Sequence, residues 1–443
     1  MLKTFKLGGV HPPENKLSAD KKIVDLPLPK TVFIPLAQHI GAPATPVVKR
    51  GDTVKTGQFI AKGSSFVSTN IHSSVSGTVK KVDFAPDSSG YPKQGIFIDV
   101  EGDTWVEEID RSTELQKEIK LSGADITKKI HEAGIVGLGG ATFPTHVKLL
   151  PPKGFKAEIL LINGVECEPY LTSDHRLMLE KPDELLVGIQ LLMKTLNVEK
   201  AVIGIENNKP DAIKILKEKT KNYKGVSIVP LKVKYPQGGE KQLIKAVTGK
   251  EVPAGALPIA VGAVVSNVGT AFAVYEAVQK NKPLFERVVT VTGKDVAAPS
   301  NFRVRIGTST TELIAAAGGM PESTGKIISG GPMMGKAIAS ANVPVTKGTS
   351  GILLMPDSLS KREPYIECIR CSRCVSVCPM GLEPYLLMVL GEKQIFDRAE
   401  KEKVMDCIEC GSCSYTCPSN RPLLDYIRFG KNKVGKIIRS RKK

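Results

Sequence analysis

The spacing of apolar positions changes along this chain, and each change predicts a different kind of element. Over residues 42–100, "VVKRGDTVKTGQFIAK" and "IHSSVSGTVKKVDF" place β-branched runs on either side of GD and SG turns, the pattern of strand–turn–strand units. Over 115–285 short continuous apolar runs take over: "AEILLING" (157–164), "KAVIGIE" (200–206) and "VSIVPLKV" (226–233). Between them "SDHRLMLEKPDELLVGIQLLMKTL" and "KPDAIKILKEKT" show helical spacing. Strands alternating with helices predict an open α/β sheet, with any ligand at the C-terminal ends of its strands. Residues 286–345 return to strand, turn, strand and a short helix. After 379, "GLEPYLLMVLGEKQIFDRAEKEKVM" reads as helices.

Composition adds bounds. A chain of 443 residues is too long for one core, and 41 glycines with 30 prolines favour turns and short strands over a helical bundle. The start "MLKTFKLGGVHPPENK" shows no secretion-signal pattern. Residues 252–275 carry no charge and are long enough to cross a bilayer. Pro253, Pro258 and the Ser266–Asn267 pair argue instead for a buried strand, a ligand loop and a helix start, so a soluble protein is expected. The net charge of +17 is uneven: 426–443 holds eight basic residues and no acid. That segment reads as a solvated basic tail or as a dock for an anionic membrane surface or acidic partner. Nucleic acid ranks last, because no zinc-finger, RNP or basic-helix pattern accompanies the charge.

Eight of the nine cysteines fall in two runs of form C-x2-C-x2-C-x3-C-P. The first is Cys368, Cys371, Cys374, Cys378 and Pro379, the second Cys407, Cys410, Cys413, Cys417 and Pro418. This is two-cluster ferredoxin spacing, in which the fourth cysteine serves the other cluster. One [4Fe–4S] cluster is therefore expected on Cys368, Cys371, Cys374 and Cys417. The second is expected on Cys407, Cys410, Cys413 and Cys378. Structural zinc normally separates its ligand pairs by a longer insert, and a disulfide framework fits poorly in a signal-free chain. Cys167 reads as a small buried residue. Clusters only pass electrons on, so a donor or acceptor must lie upstream or on a partner.

The upstream candidate is "GIVGLGGATFPTHVKLL" (134–150). Gly137, Gly139 and Gly140 would let backbone amides approach a phosphate, a helix from Pro144 would aim its positive end there, and Lys148 would add charge. Alone, "GLGGAT" misses G-x-G-x-x-G and reads as readily as a ligand-free turn. Three further stretches favour a cofactor. "LINGVECEPY" brings Asn163, Glu166 and Glu168 to a strand end. "YPQGGEKQLI" brings Tyr235, Gly238, Gly239 and Glu240 after the next strand, and "VVSNVGTAF" brings Ser266, Asn267 and Thr270.

"GLGGATFPTHVK", "NGVECEP", "YPQGGE" and "SNVGT" resemble, in sequence and order, the FMN- and NADH-binding motifs of the respiratory complex I flavoprotein subunit. With "TFKLGGVHPPENK" and the paired cysteine runs, the whole chain resembles the RnfC family, the C subunits of Rnf electron-transport complexes. The resemblance implies FMN on Gly137, Gly139, Gly140, Lys148, Asn163, Glu166, Gly238, Ser266, Asn267 and Thr270. It implies NAD(H) beside Phe143, Glu168, Tyr235 and Glu240. The complex I pattern differs at Leu138, Val165 and Gly239, where it has an arginine, an acid and a glutamate.

A multidomain α+β chain is therefore expected. Residues 1–110 would form an N-terminal segment and barrel-sandwich hybrid, similar to lipoyl carriers but without a lysine between Lys62 and Lys80. Residues 111–285 would form a Rossmann-like FMN/NADH domain, 286–355 a β-grasp module, 356–425 a helical dicluster ferredoxin domain and 426–443 the basic tail. The family implies a peripheral subunit at the cytoplasmic face of the membrane, partnered by the other members of the complex and indirectly by ferredoxin. Its complex couples ferredoxin:NAD electron exchange to Na⁺ or H⁺ transport. The rivals are a soluble NADH-dependent corrinoid reductase and a non-catalytic iron–sulfur sensor.

Overall fold

The protein is described by a computed structural model covering residues 2–441. The N-terminal β unit is a sandwich of two sheets. Thr31–Pro35, Pro92–Val100, Gly77–Pro86 and Thr53–Val54 pair antiparallel in that order, and Thr45–Pro46, Phe59–Lys62 and Ile71–His72 form the second sheet. Their inward positions, among them Val32, Ile34, Val54, Ile60, Ile71, Ile96 and Ile98, make one aliphatic core. Alternation along each strand produces this, because side chains two apart share a face.

The α/β domain has a four-stranded parallel sheet in the order Val226–Leu231, Ala201–Glu206, Ile159–Asn163, Ala263–Asn267. Its inner strands are apolar through their centres because both faces of the sheet are covered there. Leu160 and Ile162 enter one core with the helices Pro182–Leu196 and Val268–Gln279, and Leu161 enters the other with Glu240–Thr248. The helical stretch 173–196 is broken at Lys181 into Ser173–Glu180 and Pro182–Leu196, because Pro182 cannot continue the first helix's hydrogen bonding. From Ile159–Asn163 the chain builds outward on one side and returns at Ala263–Asn267 on the other. Asn163 and Asn267 therefore end adjacent strands at the point where strand order reverses, in register with each other.

Two expectations need correction. The β-grasp sheet is six-stranded and takes its edge from outside 286–355: Ile23–Asp25 pairs parallel with Ser300–Arg305. A three-residue edge strand carries too little pattern to read from sequence. The basic segment is not a free tail but most of a helix, Leu423–Arg441, whose Leu423, Ile427, Gly430 and Val434 are buried. It crosses Pro384–Glu392 closely enough that a Cβ on Gly391 would lie 2.3 Å from the Tyr426 carbonyl oxygen. Residues 442–443 of the expected tail lie outside the described residues. Among the described residues no helix is long and apolar enough to cross a membrane. The uncharged stretch 252–275 instead forms a short turn, the strand Ala263–Asn267 and the start of Val268–Gln279.

Candidate functional site

Four loops meet at the C-terminal ends of the parallel strands. Asn267 caps Val268–Gln279: its Oδ1 accepts from Gly269 N (2.8 Å) and Thr270 N (3.3 Å), and its Nδ2 donates to Asp174 Oδ2 (2.6 Å). Thr270 Oγ1 accepts from Leu138 N at 2.9 Å, which fastens the glycine loop to the same helix start. Asn163 Nδ2 donates to Gly238 O (2.8 Å), and Gly238 N donates to Cys167 Sγ (3.3 Å). Lys148 forms an ion pair with Glu240. Ser266 is half-buried in register with Ile162, and the Phe143 carbonyl closes the loop by accepting from Gly137 N at 2.8 Å.

The loop is shaped for bare backbone. A Cβ on Gly139 would lie 3.3 Å from Asn267 Cβ, and one on Gly238 would lie 3.2 Å from Cys167 Sγ. Gly140, at φ +112°, occupies the region that favours glycine. These features fit a planar, phosphorylated cofactor laid against main chain. The expected phosphate helix is smaller than foreseen: Thr145–Lys148 is one turn, so its dipole adds little and Lys148 supplies most of the positive charge.

Several expected contacts are used within the protein. Glu166 caps Ser173–Glu180, accepting from Asp174 N (2.8 Å) and His175 N (3.2 Å). Glu168 accepts from Met333 N (3.1 Å) and Met334 N (2.7 Å) of the β-grasp module, and burial pushes its carboxyl up to about 7. Tyr235 is buried and donates from its hydroxyl to the Cys410 carbonyl at 2.8 Å. The structure thus sets Glu168 and Tyr235 in a three-way seam and leaves Phe143 and Glu240 at the glycine-loop side. At the three departures from the complex I pattern, Leu138 and Val165 are buried and Gly239 precedes a helix.

Sequence reading missed the buried charges beneath the loop. Asp174 is pushed up to about 7, first by burial and then by Glu166. Lys16 and Lys209 donate into residues 165–171 from below. In the sequence these are ordinary charges at a helix start and in polar runs, and no spacing marks them.

In the C-terminal module, Cys378 of the first run lines one cavity together with Cys407, Cys410 and Cys413 of the second. Cys374 lies near Cys417 and Cys368, with Cys368 and Cys371 exposed. Leu382 N and Glu409 N donate to Cys378 Sγ and Cys407 Sγ, each at 3.4 Å. Burial pushes the Cys407 thiol up to about 11 and the Cys413 thiol up to about 12, so a cationic metal core is what would make them thiolates. The sulfur-only donor set and the backbone amides on sulfur fit iron–sulfur clusters.

Comparisons with known proteins agree domain by domain. The RnfC barrel sandwich hybrid domain matches residues 3–103, and the Nuo51 FMN-binding domain matches 130–276. The SLBB domain matches 288–337 and a 4Fe-4S dicluster domain matches 361–418. The C subunit of the proton-translocating ferredoxin:NAD(+) oxidoreductase complex of Clostridium ljungdahlii is 49% identical, over 91% of this chain and 87% of that protein. Its counterpart in the Na(+)-translocating complex of Acetobacterium woodii is 45% identical, over 97% of each. This chain belongs to the RnfC family, the C subunits of ion-translocating ferredoxin:NAD(+) oxidoreductase complexes. The resemblance drawn from the motifs therefore holds, and with it the FMN-binding and two-cluster domains. Among solved structures, an NAD+-reducing [NiFe]-hydrogenase in the air-oxidized state shares the fold at TM-score 0.50 and 17% identity, over 71% of this chain and 66% of that one.

Proposed function

We propose that the chain exchanges hydride between NAD(H) and FMN and passes single electrons through two [4Fe–4S] clusters within a ferredoxin:NAD oxidoreductase complex. The carrying observation is the Tyr235–Cys410 hydrogen bond, which ties the loop after the third strand of the flavin-type domain directly to the second cysteine run. Bound FMN would supply the conversion between a two-electron hydride and single electrons, which the clusters carry one at a time.

The protein's own groups hold and orient. Gly137, Gly139, Gly140, Gly238, Lys148, Asn163, Ser266 and Thr270 are assigned to FMN directly. Glu166 and Asn267 act through the caps that set its loops. Phe143 and Glu240 are assigned to the nicotinamide nucleotide, with Glu168 and Tyr235 fixing the seam behind it. One cluster takes Cys368, Cys371, Cys374 and Cys417, the other Cys407, Cys410, Cys413 and Cys378. The chain sits peripherally at the cytoplasmic face, where the exposed Lys433, Lys436 and Arg439 of the last helix meet anionic headgroups. The two relatives couple to different ions, so the coupling ion is assigned to the rest of the complex.

The test is an anaerobic NADH titration of the full-length, cofactor-loaded protein. Flavin absorbance should bleach as reduced-cluster EPR signals appear. Bleaching without cluster reduction, or neither, refutes the reading.

A further inference from the structure

The chain's first residues cross the seam between all of these parts. Gly9 N donates to Val377 O (2.8 Å), and a Cβ on Gly8 would lie 2.5 Å from the Cys378 carbonyl carbon. Val10 and Tyr235 exchange backbone hydrogen bonds at 2.8 and 2.9 Å, and Glu14 O accepts from Tyr170 N at 2.8 Å. The segment ends in Lys16, whose Nζ donates to Glu166 O (2.8 Å), Glu168 O (2.9 Å) and Leu171 O (2.7 Å). An ammonium has three donors, and all three are spent on this one loop. Lys209 adds a fourth tie, from its Nζ to Val165 O at 2.8 Å, with Asn208 Oδ1 at 3.0 Å and Glu206 at 3.8 Å beside it.

Two consequences follow from peptide geometry and charge. In a trans peptide the N–H points opposite to the C=O, so pinning the Val165 and Glu166 carbonyls downward turns the Glu166 and Cys167 amides the other way. Among the described residues those two amides have no acceptor. Free donors held rigidly at a strand end suit a ligand with carbonyl or ring-nitrogen acceptors. Lys16 and Lys209 also place two positive charges under the same loop, among the carboxylates of Glu166, Glu168, Asp174 and Glu206. Each of these positive charges stabilises the ligand state that carries more electrons, relative to the same site without it.

We propose that Lys16 is a positioning residue for the flavin: it presents the Glu166 and Cys167 amides to the isoalloxazine and raises the flavin's reduction potential. This rests on the assignment of the 163–168 loop to FMN. The test uses the full-length chain, stripped of flavin and titrated with FMN, followed by spectroelectrochemistry of the reloaded protein. Lys16→Met should weaken FMN binding about tenfold, the scale of a lost charged hydrogen bond, and lower the flavin midpoint potential. Lys16→Arg should keep the potential near wild type while still weakening binding, because a planar fork cannot meet three carbonyls around one nitrogen. A purely structural role would weaken binding without moving the potential. Unchanged binding, or an unchanged potential, in Lys16→Met overturns the proposal. If that variant does not fold, Lys209→Met must lower the potential and Lys16→Arg must weaken binding, and failure of either overturns it. A wild-type chain that takes up no FMN refutes the flavin assignment itself instead.

Discussion

The α/β domain and the cysteine module solve the problem of holding a redox group in opposite ways. The α/β domain is packed mainly by aliphatic residues, with Leu160, Ile162, Leu186, Ile189 and Val274 at its centre, and its polar loop residues already have internal partners. The cysteine module has its thiols in the core. Cys378 and Cys413 are core members, and Cys374, Cys407 and Cys417 pack against them with Leu387, Ile427 and Val434. One domain folds first and then offers a surface. The other has a core that is incomplete without its metal, because the ligands occupy positions that apolar side chains would otherwise fill.

The largest effect should come from attacking that core. Cys413→Ser replaces a buried thiol that shares a cavity with Cys378, Cys407 and Cys410. Iron content should fall by about half, one reduced-cluster EPR signal should vanish, and residues 361–441 should become the first region cut by protease. The 111–285 domain should keep its protection in hydrogen exchange outside the contact of Tyr235 with Cys410, since its central core holds none of the residues that line that cavity. Loss of protection across both regions together would break the comparison.

A smaller effect is expected from the other side. Lys148 and Glu240 are each more than one-third exposed, so their ion pair contributes about 0–1 kcal/mol to stability. Lys148→Met should therefore leave the thermal midpoint almost unchanged while weakening FMN binding about tenfold, as loss of a charged phosphate contact would. Fluorescence titration with FMN beside a melting curve separates the two quantities. A large fall in midpoint with little change in binding would mean that this loop, like the cysteine module, is held together by its own site residues.

The unequal legibility of the two regions has the same origin. Cysteine spacing is local and chemically specific, so the two runs could be recognised from sequence as a dicluster module, and a buried strand could be read within 157–164 from its apolar run. The glycine loop was visible as a motif, but its setting was not. Lys16 lies 150 residues from Glu166 in sequence, and its role depends on the N-terminal segment crossing three domains. The edge strand Ile23–Asp25 was missed for the same reason, since its partner is more than 270 residues away. The basic segment was misread because charge dominates its composition, while its Leu423, Ile427 and Val434 at helical spacing are what dock it. Long-range burial decides the cases of Lys16 and Ile23–Asp25, and a single sequence carries no local sign of it.

The smallest effect sharpens the comparison at the seam beside the glycine loop. Lys347 is 1% exposed, and its Nζ donates to Asn70 O (2.8 Å) and Gly134 O (2.7 Å), joining the β-grasp module to the barrel sandwich and the α/β domain. Among the described residues no carboxylate is paired with it, and burial pulls its ammonium down to about 7 from 10.5. The unfolded chain therefore binds more protons between these two values. Its contribution to stability is greatest above the unfolded pKa and is lost as pH falls through about 7. Neighbouring His72 is pulled down to about 3 by burial and stays neutral throughout this window. Lys16 titrates in the same direction, at about 8, but it is present in both proteins and cancels in a difference. The stability of wild type minus that of Lys347→Met should rise between pH 7 and pH 8 by about 1 kcal/mol, below the ~1.4 kcal/mol per pH unit that one fully shifted group can give. Denaturant melts of both proteins at the two pH values measure it. A flat difference would mean that this buried ammonium carries no charge penalty, and that the α/β domain's seam, unlike its core, is not settled by burial.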